Sequence, residues 1–277
     1  MDFRNFLSAY DFSGKTIAIT GGGGVLCGEL ARALAGCNAN VVVLDRDVGL
    51  AEKTIATLVG TKGKHKAVFI DVLDKPAIEK AADAIIADYG KLDGLINGAG
   101  GNNPKATTNP EQSFFDIPAD ALQFVSNLNL QGTILPSQVF ARIMTKQKEG
   151  VILNISSMNA FRPLTRIPAY SAAKAAVSNF TQWLAVHLAQ EYSPNIRVNA
   201  IAPGFFLTDQ NRFLLTDKAT GALTARGNKI IDHTPMARFG TPEDLVGATL
   251  WLLSPASQFV TGVVVPIDGG FSAFSGV

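Results

Sequence analysis

Tyr170 and Lys174 stand four residues apart in the run Tyr170-Ser171-Ala172-Ala173-Lys174, within a stretch of helical periodicity. Positions i and i+4 share one face of a helix. A free phenol has a pKa of about 10 and is a poor base near neutrality. An ammonium beside it stabilises phenolate and is expected to bring that value down. The pair therefore points to acid/base work at an oxygen, with Tyr170 taking a proton from an alcohol or returning it to a carbonyl. Ser157 closes the preceding apolar run, Asn154-Ile155-Ser156-Ser157. Its hydroxyl suits the task of holding the same oxygen in place.

A second set of residues suits a dinucleotide. Gly21, Gly22, Gly23 and Gly24 follow a β-branched run and lead directly into Val25, Leu26 and Cys27. Glycines let a backbone approach a pyrophosphate, and a helix that starts there offers free N–H groups. The next apolar run ends at Asp45, about 20 residues on, where an acid accepts hydrogen bonds from ribose hydroxyls. A 2′-phosphate would face that carboxylate, which favours NAD; Arg46 follows and could pair with such a phosphate, which keeps NADP open. Asp71 and Val72 end the third run, bordering an adenine. Asn97, Gly98, Ala99 and Gly100 end the fourth, where small residues leave room for a cofactor. Pro203, Gly204, Phe205 and Thr208 follow the sixth. Each residue alone also reads as ordinary chemistry: Asp45 as a turn or N-cap, Ser157 as a cap, Tyr170 and Lys174 as surface groups. Their common placement after successive strands favours one site, because ligands bind outside the carboxyl ends of parallel strands. The expected reaction is hydride transfer between a nicotinamide and an alcohol or carbonyl carbon.

Elements must alternate to place these residues. Short apolar runs at 16–20, 40–44, 65–70, 92–96, 150–155, 196–201 and 263–267 predict strands. Helical patterns are expected at 25–34, about 47–59, 75–89, 119–147 and 169–192. Strand and helix in alternation predict an α/β fold, a Rossmann-type doubly wound parallel sheet of about seven strands with helices on both faces. The strands are nearly continuous apolar runs, as buried parallel strands should be. No linker interrupts residues 1–277, so one domain is expected. Irregular stretches at about 100–118 and 204–240 are candidate substrate loops, the second an insertion.

Composition limits the partners. The 277 residues are 47% hydrophobic and 17% charged, which excludes disorder. A formal charge of +1 gives no field for nucleic acid or a membrane surface. No run is long and apolar enough to span a bilayer, and the first residues lack the apolar core of a signal peptide. Cys27 and Cys37 form no CxxC pair; no disulfide and no metal are expected, and a reducing cytoplasm is the simplest setting.

With Asn129 in Asn127-Leu128-Asn129-Leu130-Gln131-Gly132, the ordered set of glycine loop, Asp45, Asn97–Gly100, Ser157, Tyr170, Lys174 and Pro203-Gly204 resembles the short-chain dehydrogenase/reductase family over about 12–271. The resemblance implies a catalytic set of Asn129, Ser157, Tyr170 and Lys174. It implies that Lys174 also binds the nicotinamide ribose, that Asn129 supports a water chain to Lys174, and that 203–208 touches the carboxamide. It further implies homotetramers paired through the helices near 119–147 and 169–192. Two departures stand out. In the family's TGxxxGxG loop, Val25 and Cys27 replace the second and third glycines. Gly98 replaces the second asparagine of NNAG, an expected loss of one polar contact.

The substrate must be read from the variable loops. Asn102 and Asn103 lie in the first, Asn159, Arg162 and Arg166 in the loop after Ser157, and Arg212, Arg226 and Arg238 in the insertion. Amides with arginines suit a polyhydroxylated anion such as a sugar acid, because guanidinium pairs well with carboxylate. The loops look most like those of the family's bacterial sugar-acid members. A steroid or acyl pocket would ask for more contiguous apolar residues after Ser157. A dinucleotide sensor without catalysis has no use for the proton donor that Ser157, Tyr170 and Lys174 supply.

Overall fold

The computed structural model describes residues 3–208, 212–218 and 220–276. Seven strands form one parallel sheet: β1 (Thr16–Thr20), β2 (Asn40–Asp45), β3 (Lys66–Phe69), β4 (Gly94–Asn97), β5 (Gly150–Ile155), β6 (Ile196–Pro203) and β7 (Val264–Ile267). Their order is β3-β2-β1-β4-β5-β6-β7, so the chain doubles back beside β1. The expected Rossmann-type doubly wound sheet is therefore present. Every residue of β1, β4 and β6 is buried, as both faces are covered.

Side chains alternate between two cores because a strand repeats every two residues. Ile17, Ile19, Val41 and Val43 pack with Leu30 and Leu34 of α1 (Val25–Gly36) and Leu252 of the last helix. Ala18, Val42 and Leu44 face the other way, onto Ile78 and Ile85 of α3 (Lys75–Tyr89), Phe140 and Leu184. α2 (Val48–Ala56) follows β2, with Asp47 as its N-cap. A buried polar thread ties two helices, through Ser137 and Thr181, to the sheet. Asn97 Nδ2 donates to Ser137 Oγ and to Asn154 Oδ1, both at 2.9 Å, and Asn154 Nδ2 donates to Thr181 Oγ1 at 2.9 Å.

Three departures from expectation have physical causes. The predicted helix over 119–147 is α4 (Ala119–Ser126), a π turn over Asn127–Gln131, and α5 (Gly132–Gln147). One extra residue in a turn leaves hydrophobic periodicity almost intact, so the sequence reads as one helix. α6 (Pro168–Glu191) follows β5 nearly as expected. The insertion at 204–240, whose residues 209–211 and 219 lie outside the described residues, is not structureless: it holds α7 (Arg212–Leu215) and α8 (Ala225–Asp232). No helix was expected after residue 240, yet α9 (Val246–Leu253) is there, behind a capping box of Thr241 and Asp244. Its sequence, VGATLWLL, is apolar all round and has no amphipathic stripe to read. Arg197 of β6 is buried and caps it, donating from Nη2 to Leu252 O at 2.9 Å and to Ser254 O at 3.2 Å.

Candidate active site

At the carboxyl end of β1, Gly21 has φ 65°, and a Cβ there would lie 2.9 Å from the Ala99 backbone. The loops after β1 and β4 are knitted together at this point: Thr20 Oγ1 accepts from Gly98 N at 3.1 Å and Ala99 N at 3.3 Å. Gly24 is the N-cap of α1 and supplies no side-chain cap, and the first turn has no acidic residue. Its N–H groups and positive dipole end are thus left for an anion. A groove of about 510 Å³ opens here, lined by Gly21, Gly24, Val25, Leu26, Asp45, Arg46, Asp71, Val72, Ala99, Gly100 and Thr208. The Asp45 carboxylate is held by two backbone donors, Gly23 N on Oδ2 and Asp47 N on Oδ1, each at 3.0 Å. Each oxygen keeps a lone pair for a further donor such as a ribose hydroxyl. Bare backbone, an uncapped helix start and a fixed carboxylate fit a dinucleotide.

The two departures from the family pattern explain each other. A Cβ on Gly98 would overlap Sγ of Cys27 and lie 2.8 Å from Thr20 O. Cys27 therefore occupies the space that a side chain at residue 98 would take. The polar contact expected to be lost is replaced by packing. Burial pushes the Cys27 thiol up to about 12, which leaves it a small apolar filler.

Gly100 joins the groove to the catalytic residues. A Cβ there would lie 2.8 Å from Asn129 Oδ1 and 3.3 Å from Lys174 Nζ. Asn129 sits on the π turn, fully buried. Its Nδ2 donates to Gly101 O at 2.7 Å and Val125 O at 2.8 Å, and its Oδ1 accepts from Gly101 N at 3.2 Å. Among the described residues its amide clamps the 100–101 loop. Lys174 is buried and donates to Ile155 O at 2.8 Å, so β5 and α6 meet through it. Ser157 Oγ accepts from Asn159 N at 3.3 Å and Asn159 Nδ2 at 3.1 Å, and hydrogen-bonds Tyr170.

Electrostatics correct one expectation. Burial raises the Tyr170 phenol above its ordinary value, against a smaller lowering by the Ser157 hydrogen bond. Lys174 is not among the groups that shift it, and burial lowers Lys174 itself to about 8. Its Nζ lies 5.6 Å from the Tyr170 ring centre. Desolvation disfavours both charged forms at once, so phenol and amine move toward neutrality.

Other expected residues are placed differently. The Asn97 side chain turns to Ser137 and Asn154, away from the groove. Pro203 ends β6 in a buried position, and Gly204 packs on Asp268, where a Cβ would lie 2.5 Å from Asp268 Cβ. Phe205 meets Phe271 edge to face at 5.1 Å and lines a separate pocket of about 130 Å³. Asn102 Nδ2 donates to Thr107 Oγ1 at 2.9 Å, and Asn103 Oδ1 accepts from Lys105 N at 2.9 Å, so both amides brace their own loop. Arg162, exposed, donates from Nε to Ser272 O at 3.2 Å. Asn159 is buried against Ser157 and its own loop, not open as a substrate contact. One influence has no signal in the sequence: burial and then repulsion from Arg166 hold the Arg226 guanidinium below its ordinary value. Neither arginine has a carboxylate partner among the described residues. Arg166 also has φ 153°, unusual for a residue with a side chain.

Comparison with known proteins agrees with this geometry. A family profile described as enoyl-(acyl carrier protein) reductase matches residues 26–272. An uncharacterized oxidoreductase of Haemophilus influenzae is 50% identical over 289 residues and is matched over 100% of both chains. A solved structure from the same organism, provisionally named D-mannonate oxidoreductase and carrying bound NAD, superposes with a TM-score of 0.90. It is 49% identical and covers 98% of this chain and 100% of its own. Two Escherichia coli enzymes are each 34% identical. They are a 7α-hydroxysteroid dehydrogenase, matched over 93% of this chain and 94% of its own, and a 5-keto-D-gluconate 5-reductase, matched over 94% and 96%.

The Cys27–Gly98 contact generates a double-mutant test. Gly98→Asn alone is expected to lower unfolding free energy by about 1–3 kcal/mol through overpacking. Adding Cys27→Gly should recover part of that loss, giving a favourable coupling of about 1 kcal/mol in urea unfolding. Strictly additive effects would contradict the shared space.

Proposed function

The chain belongs to the short-chain dehydrogenase/reductase family of NAD(P)-dependent oxidoreductases, and we propose that within it the chain interconverts a sugar-acid alcohol and ketone, D-mannonate and D-fructuronate first among them. The observation that carries the reading is the half-buried Tyr170 beside buried Ser157 and Lys174, met at Gly100 by a groove that starts on an uncapped helix. On this reading residues 1–277 act as one dinucleotide-binding and catalytic unit.

A bound nicotinamide dinucleotide supplies the group that gives or accepts hydride. Gly21, Gly24, Val25 and Leu26 would hold its pyrophosphate, Asp45 a ribose, Asp71 and Val72 the adenine, and Ala99, Gly100, Lys174 and Thr208 the nicotinamide half. Asp45 supports NAD over NADP, as does the NAD in the 49% identical structure; Arg46 in the same groove is the feature that would accommodate a phosphate. In reduction Tyr170 donates its phenolic proton to the substrate oxygen, and burial keeps it in that donor form at neutral pH. Oxidation requires phenolate, which the Ser157 hydrogen bond favours and burial opposes. Asn129 acts from behind by fixing the loop on which Gly100 stands.

The substrate class is supported by Arg166 and Arg226: the charge of Arg166 adds to burial in holding the Arg226 guanidinium down, and neither forms an ion pair with a carboxylate among the described residues. A substrate carboxylate relieves that repulsion. The 5-keto-D-gluconate relative favours a second reading, a gluconate 5-dehydrogenase type of activity, on the same features. The steroid activity of the other relative fits less well, because Asn159, Arg162 and Arg166 interrupt the loop after Ser157. A homotetramer is supported by an exposed aromatic stripe on α6, where Trp183 is 56% exposed and stacks on His187 at 4.7 Å. A cytoplasmic setting is supported by two unpaired cysteines. No helix among the described residues is long and apolar enough to cross a membrane.

Four outcomes are expected. Tyr170→Phe should lose about 10²–10⁴-fold in turnover while still binding NAD; a fully active variant contradicts the assigned proton carrier. In the wild type the donor form persists below the raised phenol pKa, so reduction should hold level through neutral pH and oxidation should climb with pH. In a spectrophotometric panel of hexonates and keto-uronates with both cofactors, D-mannonate with NAD should turn over best. Arg226→Ala should raise its KM about tenfold or more with NAD affinity unchanged; turnover confined to apolar ketones would reject the sugar-acid reading.

A further inference from the structure

The Ser157 hydroxyl has one hydrogen and two lone pairs. Both lone pairs face N–H donors of one residue, Asn159 N at 3.3 Å and Asn159 Nδ2 at 3.1 Å. The orientation of the Asn159 amide follows from its other end. Leu164 N donates to Asn159 Oδ1 at 3.1 Å, and a backbone N–H can only donate, so the oxygen must lie on that side. Ser171 Oγ, next to Tyr170 in sequence, donates to the same oxygen at 3.1 Å. Nδ2 is therefore the atom turned to Ser157. Asn159 is 7% exposed and Ser157 5%, so water does not compete freely for these bonds.

We propose that Asn159 is a positioning residue that makes Ser157 a hydrogen-bond donor only, so that an alcohol in the site gives its proton to Tyr170 and never to Ser157. The inference rests on the reading of Tyr170 as the proton carrier. With its lone pairs occupied, Ser157 cannot accept from the substrate hydroxyl. Its own hydrogen is directed at the phenolic oxygen, or at the substrate oxygen when that arrives. In oxidation the O–H bond of the alcohol breaks toward Tyr170 while the carbon loses hydride to the cofactor. In reduction the same oxygen accepts from Ser157 and takes its new proton from Tyr170. One amide thus sets the direction of every hydrogen bond around the reacting oxygen.

Two substitutions separate this role from simple bracing of the loop. Asn159→Asp keeps an oxygen for Leu164 and Ser171 but replaces the Nδ2 donor with an acceptor, which draws the Ser157 hydrogen away from Tyr170. Asn159→Leu keeps the bulk and removes every side-chain bond. Steady-state kinetics of the full chain with NAD and the hexonate that the wild type oxidises should show kcat lowered about tenfold or more in Asn159→Asp, at least as far as in Asn159→Leu, with KM for NAD unchanged. Unfolding midpoints would identify any variant that fails to fold; the aspartate variant, which keeps the loop bonds, is the one on which the inference stands. A near-wild-type Asn159→Asp beside an impaired Asn159→Leu would mean that the residue only braces the loop. A rise in hexonate KM with kcat preserved would mean charge repulsion alone. Either result overturns the inference. If Tyr170→Phe is inactive while Asn159→Asp is normal, only this inference fails; if Tyr170→Phe keeps full turnover, the reading beneath it fails as well.

Discussion

No side chain fits at residue 100, and much of the site depends on that. The loop after β4 passes so close to Asn129 Oδ1 and Lys174 Nζ that a single methyl group would lie 2.8 and 3.3 Å from them. The backbone of Gly100 is at once a wall of the dinucleotide groove and the lid of the catalytic cluster. Asn129 holds the loop there through three hydrogen bonds to the backbone, two of them to Gly101. Asn129 makes that clamp from the π turn, where it is fully buried.

Much of the fold was readable because each strand is a short β-branched run and each connecting helix repeats with its own period. The candidate catalytic set could be picked out for a different reason: Tyr170 and Lys174 are one turn apart on one helix, and Ser157 follows the strand before it. What escaped is of two kinds. The π turn and α9 leave no distinctive period, the first because one added residue hardly shifts the pattern, the second because a helix apolar all round has no polar face. The remaining misses are contacts between distant segments. Arg162 meets the carbonyl of Ser272, 110 residues away, and the charge of Arg166 reaches Arg226 in the insertion. The types of these residues suggested an anion; only the folded chain shows which of them face each other. Asn159 is the instructive case: an amide beside the catalytic serine reads as a substrate contact, whereas its bonds are all within the protein.

Burial decides the electrostatics. A lysine four residues from a tyrosine suggests a phenol made acidic by an ammonium. In the folded chain both groups are removed from water, and the loss of hydration outweighs their mutual attraction. Lys174 falls to about 8 and the phenol rises, leaving the unliganded site poised to donate a proton. The same dryness makes Cys27 inert filler beside Gly98, which is how two departures from the family pattern came to compensate one another.

The claim that groove and catalytic cluster form one site, closed over Gly100, is tested most directly by Gly100→Ala. Residue 100 does not have a left-handed backbone, so alanine adds a methyl group without backbone strain. Isothermal titration of NAD, with turnover measured on the same folded samples, should show both weakened together by about tenfold or more. Undiminished NAD affinity and turnover in the folded alanine variant would contradict the account.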